Sequence, residues 1–295
     1  MRVAITGASG FLGRHLVREL LASGDEPLIL GIEKEGTVCG LPIVTTDYTA
    51  DALKEQLKGA DAVVHLASTR GVFPRLSAYY DCVEMTENVY EAAVACGIQN
   101  VVYASSISVY AGDELPYVET QAPAPGNLYG VYKLTCEQFC QIYGVRDGLR
   151  IKNLRFAHLY GANEQNNYMI NVFFRRAFAH EPLQVFSQNP ARRQMLYVKD
   201  AARAICAAIR KPDVSGTFNI ASNDALTNGE IAETICRVFT PDLQVQYGDK
   251  VECTPSSYMD GTKAREQLDF LPKYSFEEAV KEIYADMLSV ARSES

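Results

Sequence analysis

No stretch of the sequence concentrates lysine and arginine, and the formal net charge is −8. A protein that binds the phosphates of a nucleic acid needs a basic surface, so this charge distribution argues against a nucleic-acid partner. No apolar run approaches the ~20 residues that cross a bilayer, which predicts no membrane segment. The N-terminus MRVAITGASG lacks the apolar region and cleavage site of a signal peptide, so we expect a cytoplasmic protein.

Cysteine pairs with C-x-x-C spacing are also missing. The eight cysteines are scattered and form no C-x-x-C pair. This pattern predicts reduced thiols and no metal site, because disulfide frames and zinc sites use regular short spacings. Cys136 and Cys140 are four residues apart on a predicted helix, and we interpret them as a buried thiol pair and not as a redox or metal site.

Apolar strand-like runs alternate with helical stretches through the first half of the chain. The runs that predict strands are 2–7, 27–32, 41–47, 61–68, 100–106 and 149–161. The stretches that predict helices between them are 11–24, 50–59, 79–97 and 129–144. This alternation indicates an α/β protein with a Rossmann-type, doubly wound parallel sheet covered on both faces.

The pattern loosens after about residue 160. Helices are predicted near 168–180, 200–210, 228–239 and 275–290, with strands at 183–187 and 217–221. We expect an NAD(P)-binding domain in residues 1–160, to which segments near 190–221 return. Residues 161–295 would form mainly a smaller, interleaved substrate lobe, since no low-complexity linker separates the two.

The segment TGASGFLG places Gly7, Gly10 and Gly13 between the first strand and the first helix. Glycines at such a turn let the backbone approach a pyrophosphate, and the helix N-terminus offers N–H groups to the phosphates. The G-x-x-G-x-x-G spacing is one residue longer than the usual dinucleotide fingerprint. Its place directly after a strand and before an amphipathic helix still predicts an NAD or NADP site.

The choice between NAD and NADP stays open. An acid at the end of the second strand would bind the ribose hydroxyls of NAD, whereas an arginine would accept the phosphate of NADP. Gly31 stands at that place, and Glu33 and Lys34, which follow it, favour opposite cofactors. Asp47, after the third strand, is either an adenine contact or a turn former.

The segment NLYGVYK contains Tyr129, Tyr132 and Lys133. On a helix, Tyr129 and Lys133 share a face, whereas Tyr132 points elsewhere. A free tyrosine titrates near ~10, which is too high for an efficient base at neutral pH. The Lys133 ammonium and a cationic nicotinamide ring would lower the pKa of Tyr129. A serine at the end of the 100–106 strand would hold the substrate oxygen, at the sheet edge where ligands bind.

The glycine turn, the segment YASSISVY and the Tyr129-x-x-x-Lys133 pair, in this order and spacing, resemble the extended short-chain dehydrogenases/reductases of the NAD-dependent epimerase/dehydratase family. Three later segments resemble the same family: LRFAHLYG (154–161), RRQMLYVKDAARAI (192–205) and DGTKAREQLDFLPKYSFEEAV (260–280). The resemblance covers nearly the whole chain. It implies an enzyme that acts on nucleotide-activated sugars with NAD or NADP, NAD being slightly preferred, and that commonly forms a homodimer through two helices.

The resemblance also implies roles for particular residues. Tyr129 would be the acid/base, Lys133 would hold the nicotinamide ribose, and Ser106 would hydrogen-bond the reacting oxygen, whereas Ser105 would be structural. The residues implied in cofactor binding are Gly7, Ser9, Gly10, Phe11, Leu12, Gly13, Asp47, Tyr48, Leu66, Ala67, Tyr129 and Lys133. Those implied in substrate binding are Ser106, Tyr129, His158 and Arg193, with Arg192, Arg175 and Arg176 as lesser candidates. Arg175 and Arg176 have a solvated helix face as their alternative.

The expected reaction follows from what stands after the serine. Similar 4,6-dehydratases carry an acidic pair there, whereas this chain has Ile107 and Ser108, which argues against dehydration. Epimerisation at a carbinol through a keto intermediate remains, as does NAD(P)H-dependent reduction of a keto-sugar. The competing class is a non-catalytic NAD(P)-binding sensor or scaffold. That class predicts loss of the serine, tyrosine or lysine, and all three are present.

Three features depart from the family pattern. His158 stands where many members have an asparagine, and Asp81 replaces an asparagine at the start of the long helix. The stretch from His158 to Arg193 is shorter than in typical epimerases, which fits a keto-reductase or a less common substrate. We treat His158 as a specificity candidate, with a structural histidine as the alternative.

Overall fold

The computed structural model describes residues 1–112, 114–164, 166–251 and 253–294. Its strands are β1 (Arg2–Thr6), β2 (Glu26–Gly31), β3 (Thr37–Val38), β4 (Leu41–Thr45), β5 (Ala62–His65), β6 (Asn100–Ser106), β7 (Arg150–Phe156), β8 (His158–Tyr160), β9 (Gln184–Gln188), β10 (Arg193–Tyr197), β11 (Gly216–Ile220), β12 (Ala225–Leu226) and β13 (Gln246–Val251). Its α-helices are α1 (Phe11–Ala22), α2 (Ala50–Gln56), α3 (Tyr80–Ala95), α4 (Leu128–Asp147), α5 (Met169–Phe178), α6 (Val198–Ile209), α7 (Asn228–Phe239), α8 (Thr262–Leu268) and α9 (Phe276–Glu294).

The main sheet has eight strands in the order β11-β7-β6-β5-β1-β2-β4-β3. Every pairing in it is parallel except that of β3 with β4. Strand β1 lies between β2 and β5, so the strand order reverses there, and this reversal creates the crevice in which doubly wound sheets bind ligands. The apolar side chains of the central strands are buried, as expected for a sheet covered on both faces. The Rossmann-type fold is confirmed.

The strand that the sequence predicts over 149–161 is divided in the structure. Strand β7 pairs with β6 and β11 in the main sheet. Strand β8 leaves that sheet and joins β10 and β12 in a three-stranded sheet. A single residue, Ala157, separates the two pieces in the sequence, so periodicity alone could not reveal the break.

The second half of the chain contributes to both parts of the molecule. Strand β11 extends the main sheet beside β7, and α6 packs against α1. Helices α5, α7 and α9 surround a second apolar cluster, in which Phe174, Phe239 and Tyr284 pack together. The division into domains 1–160 and 161–295 stays a prediction. In the part of the chain that is described, no helix combines the length and hydropathy needed to cross a membrane.

Candidate active site

The glycine turn connects β1 to α1 at the crevice. Gly7 has φ +70°, and a Cβ atom on it would lie 2.6 Å from the backbone nitrogen of Ala67. A Cβ on Gly13 would lie 2.5 Å from the Cα of Ala8. Gly10 is exposed and caps α1, and its N–H donates to the Gly7 carbonyl at 3.1 Å. Gly7 and Gly13 therefore keep the turn tight, and the exposed backbone at Gly10 fits the pyrophosphate of a dinucleotide.

A buried histidine fixes the two strands that border the crevice. Thr6 Oγ1 accepts the N–H groups of Leu66 and Ala67, each at 3.2 Å. The same oxygen lies 2.7 Å from His65 Nδ1, and His65 Nε2 lies 3.1 Å from Thr86 Oγ1. The ring is 1% exposed, and burial lowers the pKa of His65 to about 3. Sequence reasoning missed this neutral histidine; its only sequence signal is a polar residue inside an apolar strand.

The end of β2 shows which side chain lies over Gly31. A Cβ on Gly31 would lie 2.2 Å from Oε2 of Glu33, so the Glu33 carboxylate lies directly over the glycine. A hydrogen bond from Ser9 holds the pKa of Glu33 below its usual range. Lys34, the other candidate, is exposed. The acidic group at this edge of the sheet therefore comes from Glu33.

Asp47 and Tyr48 follow β4, the strand that pairs with β2. Asp47 is exposed, and its Oδ1 accepts from the Thr49 N–H at 3.0 Å and from the Thr49 hydroxyl at 2.8 Å. These bonds fit the turn-former interpretation. Tyr48 has φ +58°, and its hydroxyl donates to the Leu30 carbonyl at 3.3 Å. The negative charge of Glu33 acts on Tyr48, which indicates that the two side chains are close.

Lys133 lies almost fully buried on α4, with its ammonium among tyrosine rings. Its Nζ donates to the Ala104 carbonyl at 2.7 Å. It lies 5.0 Å from the ring centroids of Tyr103 and Tyr132 and 5.7 Å from that of Tyr129. Burial lowers the pKa of Lys133 to about 8. The lysine and Tyr129 therefore share one side of the helix, as the spacing predicted.

We expected Lys133 to lower the pKa of Tyr129, and for the protein's own groups this expectation was wrong. Burial raises the pKa of Tyr129 well above its usual range, and the Arg70 charge opposes this only in part. The Lys133 ammonium donates a hydrogen bond to the Ala104 carbonyl, so it is not directed at the Tyr129 phenol. Tyr132 was expected to point elsewhere, but its ring lies 5.0 Å from Lys133 Nζ and 5.5 Å from the Tyr129 ring, and its hydroxyl lies 2.5 Å from Ser68 Oγ.

Ser106 ends β6 and begins a short 3₁₀ turn over Ile107–Val109, whose Ser108 N–H donates to the Ser106 hydroxyl at 3.1 Å. Helix α4 approaches this turn through Gly130. A Cβ on Gly130 would lie 2.0 Å from the Ser108 carbonyl oxygen. The glycine beside Tyr129 thus brings the tyrosine helix against the serine turn. Sequence reasoning did not use Gly130, although it directly follows the candidate acid/base.

Ser105 has a structural partner. Its hydroxyl donates to the carboxylate of Glu137 on α4. Glu137 is also paired with Arg155 on β7 at 2.6 Å, and both side chains are at most 4% exposed. Arg155 Nη1 in turn contacts the Tyr110 hydroxyl at 2.5 Å. This buried polar network joins α4 to the strands beneath Ser106, and it was not foreseen because its members are far apart in sequence.

The structure places His158 and Arg193 on neighbouring strands of the three-stranded sheet. The His158 ring remains open to solvent, yet surrounding protein lowers its pKa to about 4, and the Arg193 charge acts in the same direction. Arg193 Nη2 donates to Thr254 Oγ1 at 3.1 Å. Arg192 pairs with Glu230 at 3.2 Å, away from His158. Arg193 therefore remains the better phosphate candidate.

The lesser arginine candidates have structural contacts. Arg175 Nη1 donates to the carbonyl oxygens of Glu164 and Asn166 at 3.3 and 3.1 Å, so it holds a loop. Arg176 pairs with Glu181 at 3.4 Å. Asp81 is exposed in the first turn of α3.

An ion pair that sequence reasoning missed spans two loops near Tyr129. Arg70 follows β5, and its guanidinium makes two bonds to the carboxylate of Glu164, at 3.3 and 2.7 Å. Glu164 follows β8 and its side chain is 2% exposed, whereas that of Arg70 is 57% exposed. The pair joins the segment after β5 to the segment after β8.

The parallel sheet with a glycine turn at its switch point defines a Rossmann-type dinucleotide-binding protein. The chain belongs to the NAD dependent epimerase/dehydratase family, whose model it matches over residues 3–221. A solved UDP-N-acetylglucosamine 4-epimerase from Bacillus cereus is 45% identical, with a TM-score of 0.89 over 97% of this chain and 99% of that chain. The chain is therefore an extended short-chain dehydrogenase/reductase of the nucleotide-sugar type.

Two further relatives agree with this assignment. MoeE5, solved with UDP-glucuronic acid and NAD, is 26% identical, with a TM-score of 0.85 over 99% of this chain and all of that chain. A protein of Bacillus subtilis described as an uncharacterized UDP-glucose epimerase is 26% identical, and the match covers 100% of both chains. These relatives support an NAD(P)-dependent enzyme of sugar nucleotides.

Proposed function

We propose that this protein is an NAD(P)-dependent epimerase of a nucleotide-activated sugar, with Tyr129 as its acid/base. The observation that carries the proposal is the convergence at one sheet edge. The glycine turn lies at the end of β1, Ser106 lies at the end of β6, and Gly130 brings the Tyr129 helix against the serine turn. The intact serine, tyrosine and lysine disfavour a purely non-catalytic sensor or scaffold.

Each catalytic group has a role that its surroundings permit. The Ser106 hydroxyl would bind the reacting oxygen and orient it toward Tyr129. Tyr129 would take the proton of a sugar hydroxyl and later return it. Lys133 would place a positive charge beneath both the tyrosine and the nicotinamide ribose. When bound, the nicotinamide supplies the hydride chemistry.

We propose a UDP-linked hexose or N-acetylhexosamine as substrate and carbon 4 as the reacting centre, because the 45% identical relative is a UDP-N-acetylglucosamine 4-epimerase. Arg193 would meet the diphosphate, because an arginine donates two parallel bonds to phosphate. Ile107 and Ser108 still argue against dehydration. The family includes dehydratases by name, so the comparisons give that prediction no support.

NAD is proposed as the preferred cofactor, and a homodimer as the assembly. An NAD(P)H-dependent keto-sugar reductase is the second candidate, because the short stretch between His158 and Arg193 suits a smaller substrate lobe. The two candidates differ in their use of cofactor: an epimerase returns its own hydride, whereas a reductase consumes one reduced cofactor for each product.

The test is to incubate the full chain with UDP-N-acetylglucosamine, and separately with UDP-glucose, without added reductant. We expect the 4-epimer of one substrate by chromatography, and NAD released on denaturation near one per chain. Product that forms only with consumption of NADH or NADPH from a keto-sugar would establish the reductase instead. Failure to bind either cofactor would exclude both enzyme proposals.

Tyr129→Phe tests the acid/base role. We expect turnover to fall by about 10²- to 10⁴-fold, the usual contribution of general acid–base catalysis, with the cofactor still bound. Tyr143→Phe, at another buried tyrosine of α4, is the matched control and should keep its activity. Unchanged turnover in the Tyr129 variant would contradict the assignment, and cellular function that persists without turnover would favour the sensor.

A further inference from the structure

The segment that follows β5 carries Arg70 to the candidate acid/base. The carbonyl of the next residue, Gly71, accepts the Tyr79 hydroxyl at 2.7 Å. The Tyr79 ring packs edge-on against Tyr129, with 6.1 Å between the ring centroids. Burial raises the pKa of Tyr129, and the charge of Arg70 opposes that rise, as a neighbouring cation does. Arg70 therefore lies beside Tyr129.

Glu164 neutralises Arg70 at this place. Its carboxylate accepts two bonds from the Arg70 guanidinium, at 3.3 and 2.7 Å, and its Oε1 also accepts the Asn166 N–H at 3.2 Å. The Glu164 carbonyl accepts from Arg175 Nη1 at 3.3 Å. The Glu164 side chain is 2% exposed, and a carboxylate so deeply buried needs such partners to keep its charge. The pair is therefore fixed in position and has no net charge.

The guanidinium of Arg70 remains accessible to a ligand. Its side chain is 57% exposed, and the bonds to Glu164 use only part of the N–H donors of a guanidinium. In the proposed reaction Tyr129 acts on the hydroxyl of carbon 4 of the sugar. Carbon 5, which is bonded to carbon 4, also carries carbon 6. A charged group at carbon 6 would therefore lie close to the reacting oxygen and to the Arg70–Glu164 pair.

We propose that the Arg70–Glu164 pair makes the sugar site selective for hexoses that are uncharged at carbon 6, and that it rejects uronic acids. The inference rests on the proposed function, since it concerns the sugar end of the same site. Glu164 cancels the positive charge that would otherwise attract a sugar carboxylate, and its own negative charge repels one. A hydroxymethyl group is not repelled, and it can accept a hydrogen bond from Arg70.

The other role open to the pair is that of a clasp, which only joins the segment after β5 to the segment after β8. Loss of a clasp would weaken the binding of neutral and acidic sugar nucleotides alike. Loss of a selective charge would change the two affinities in opposite directions or by different factors. The ratio of the two affinities therefore distinguishes the two roles.

The experiment compares UDP-glucose with UDP-glucuronic acid, which differ only at carbon 6. Their dissociation constants are measured by isothermal titration calorimetry on the full chain saturated with NAD. Every protein in the series carries Tyr129→Phe, which prevents turnover during the titration, and the protein with this change alone is the reference. The variants add Glu164→Gln, Glu164→Gln together with Arg70→Met, or Glu181→Gln. Glu181 is the matched control, because it also pairs with an arginine, Arg176, while its side chain is 56% exposed.

We expect the reference protein to bind UDP-glucose more tightly than UDP-glucuronic acid by about tenfold or more. Glu164→Gln should shift the ratio toward UDP-glucuronic acid by about tenfold or more, because it leaves the positive charge of Arg70 uncompensated. Glutamine keeps the shape of the side chain and an acceptor for the Asn166 N–H. Addition of Arg70→Met should remove this gain, and Glu181→Gln should leave the ratio unchanged.

A reference protein that binds UDP-glucuronic acid as tightly as UDP-glucose, or more tightly, would overturn the inference, whether or not Glu164→Gln folds. The same ratio for Glu164→Gln and Glu181→Gln would also overturn it and would leave the pair as a clasp. A gain that persists in the variant with Arg70→Met would show that another group attracts the carboxylate, which equally contradicts the proposal. Binding of neither ligand by any protein of the series would instead overturn the proposed function.

Discussion

At the scale of single residues, the charge of Lys133 depends on its immediate neighbours. Burial disfavours its positive charge, whereas the faces of the surrounding tyrosine rings favour it. The rings of Tyr103 and Tyr132 are both 5.0 Å from the ammonium. The balance keeps a lysine with a pKa of about 8 charged at neutral pH. We infer that these rings help to position the ammonium for the reaction.

Tyr103→Leu should therefore move the alkaline limit of activity. Loss of the ring would lower the pKa of Lys133 further, so activity should decline at a pH lower by roughly 0.5–1 unit, given about 1 kcal/mol for one cation–π contact. The check is a pH profile of kcat/KM. Tyr103→Phe keeps the ring and should keep the wild-type profile.

A second control separates this effect from simple loss of packing. Tyr90 is also fully buried, with an unpartnered hydroxyl in the described structure. Tyr90→Leu should destabilise the fold without moving the pH profile. The same shift in both leucine variants would show that Tyr103 acts only through packing.

Among elements, α4 and the turn after β6 have to meet closely. Gly130→Ala would force a methyl group against the Ser108 carbonyl, so the helix or the turn must move. A displacement of about 1 Å at reacting groups costs on the order of 10²-fold in rate. We expect turnover to fall by about that factor, together with about 1–3 kcal/mol of stability. Turnover measurements and urea unfolding check both effects.

Gly144→Ala in the same helix is the control. A Cβ there lies 3.5 Å from the Leu149 carbonyl oxygen, an ordinary contact. This variant should keep full activity and gain about 0.5–1 kcal/mol of stability, because alanine favours helix more than glycine does. Equal activities of the two alanine variants would show that the close approach at Gly130 has no catalytic importance.

The sequence predicts elements better than it predicts their contacts. Periodicity located β6 and α4, and the i, i+4 spacing placed Tyr129 and Lys133 on one face. It could not show that β8 leaves the main sheet, since a single residue separates β8 from β7. Nor could it choose between Glu33 and Lys34, because the choice depends on how a side chain folds back over Gly31. Such features depend on distances between segments, which a single sequence does not record.

At the scale of the whole molecule, acid should loosen the sheet through His65. The pKa of His65 is about 3 in the fold, against about 6.5 in an unfolded chain. The unfolded chain therefore binds a proton that the folded chain does not, and stability is lost as the pH falls below about 6.5. Between pH 7 and pH 5 this one histidine should remove about 2 kcal/mol.

Urea unfolding at pH 7 and pH 5 checks this value. His65→Gln should be less stable at pH 7, yet it should lose less stability on acidification than wild type does. His180→Gln is the control, because His180 lies at the surface with its side chain 62% exposed. Identical pH dependence in wild type and His65→Gln would contradict the assignment, since the acidic groups common to both would then account for all of it.

The hydroxyl of Thr6 determines which backbone amides at the candidate cofactor site can still bind a ligand. This oxygen accepts hydrogen bonds from the Leu66 and Ala67 N–H groups. Those amides therefore cannot donate to a ligand and can only make van der Waals contact with it. Helix α1 begins at Phe11, and its N-cap Gly10 gives no side-chain cap in the described chain, so the amides of its first turn remain free to donate hydrogen bonds. Main-chain dipoles at the start of α1 would therefore attract an anion. This local attraction would act although the whole protein carries a net charge of −8. Salt screens such dipoles, so cofactor binding should weaken as the ionic strength rises.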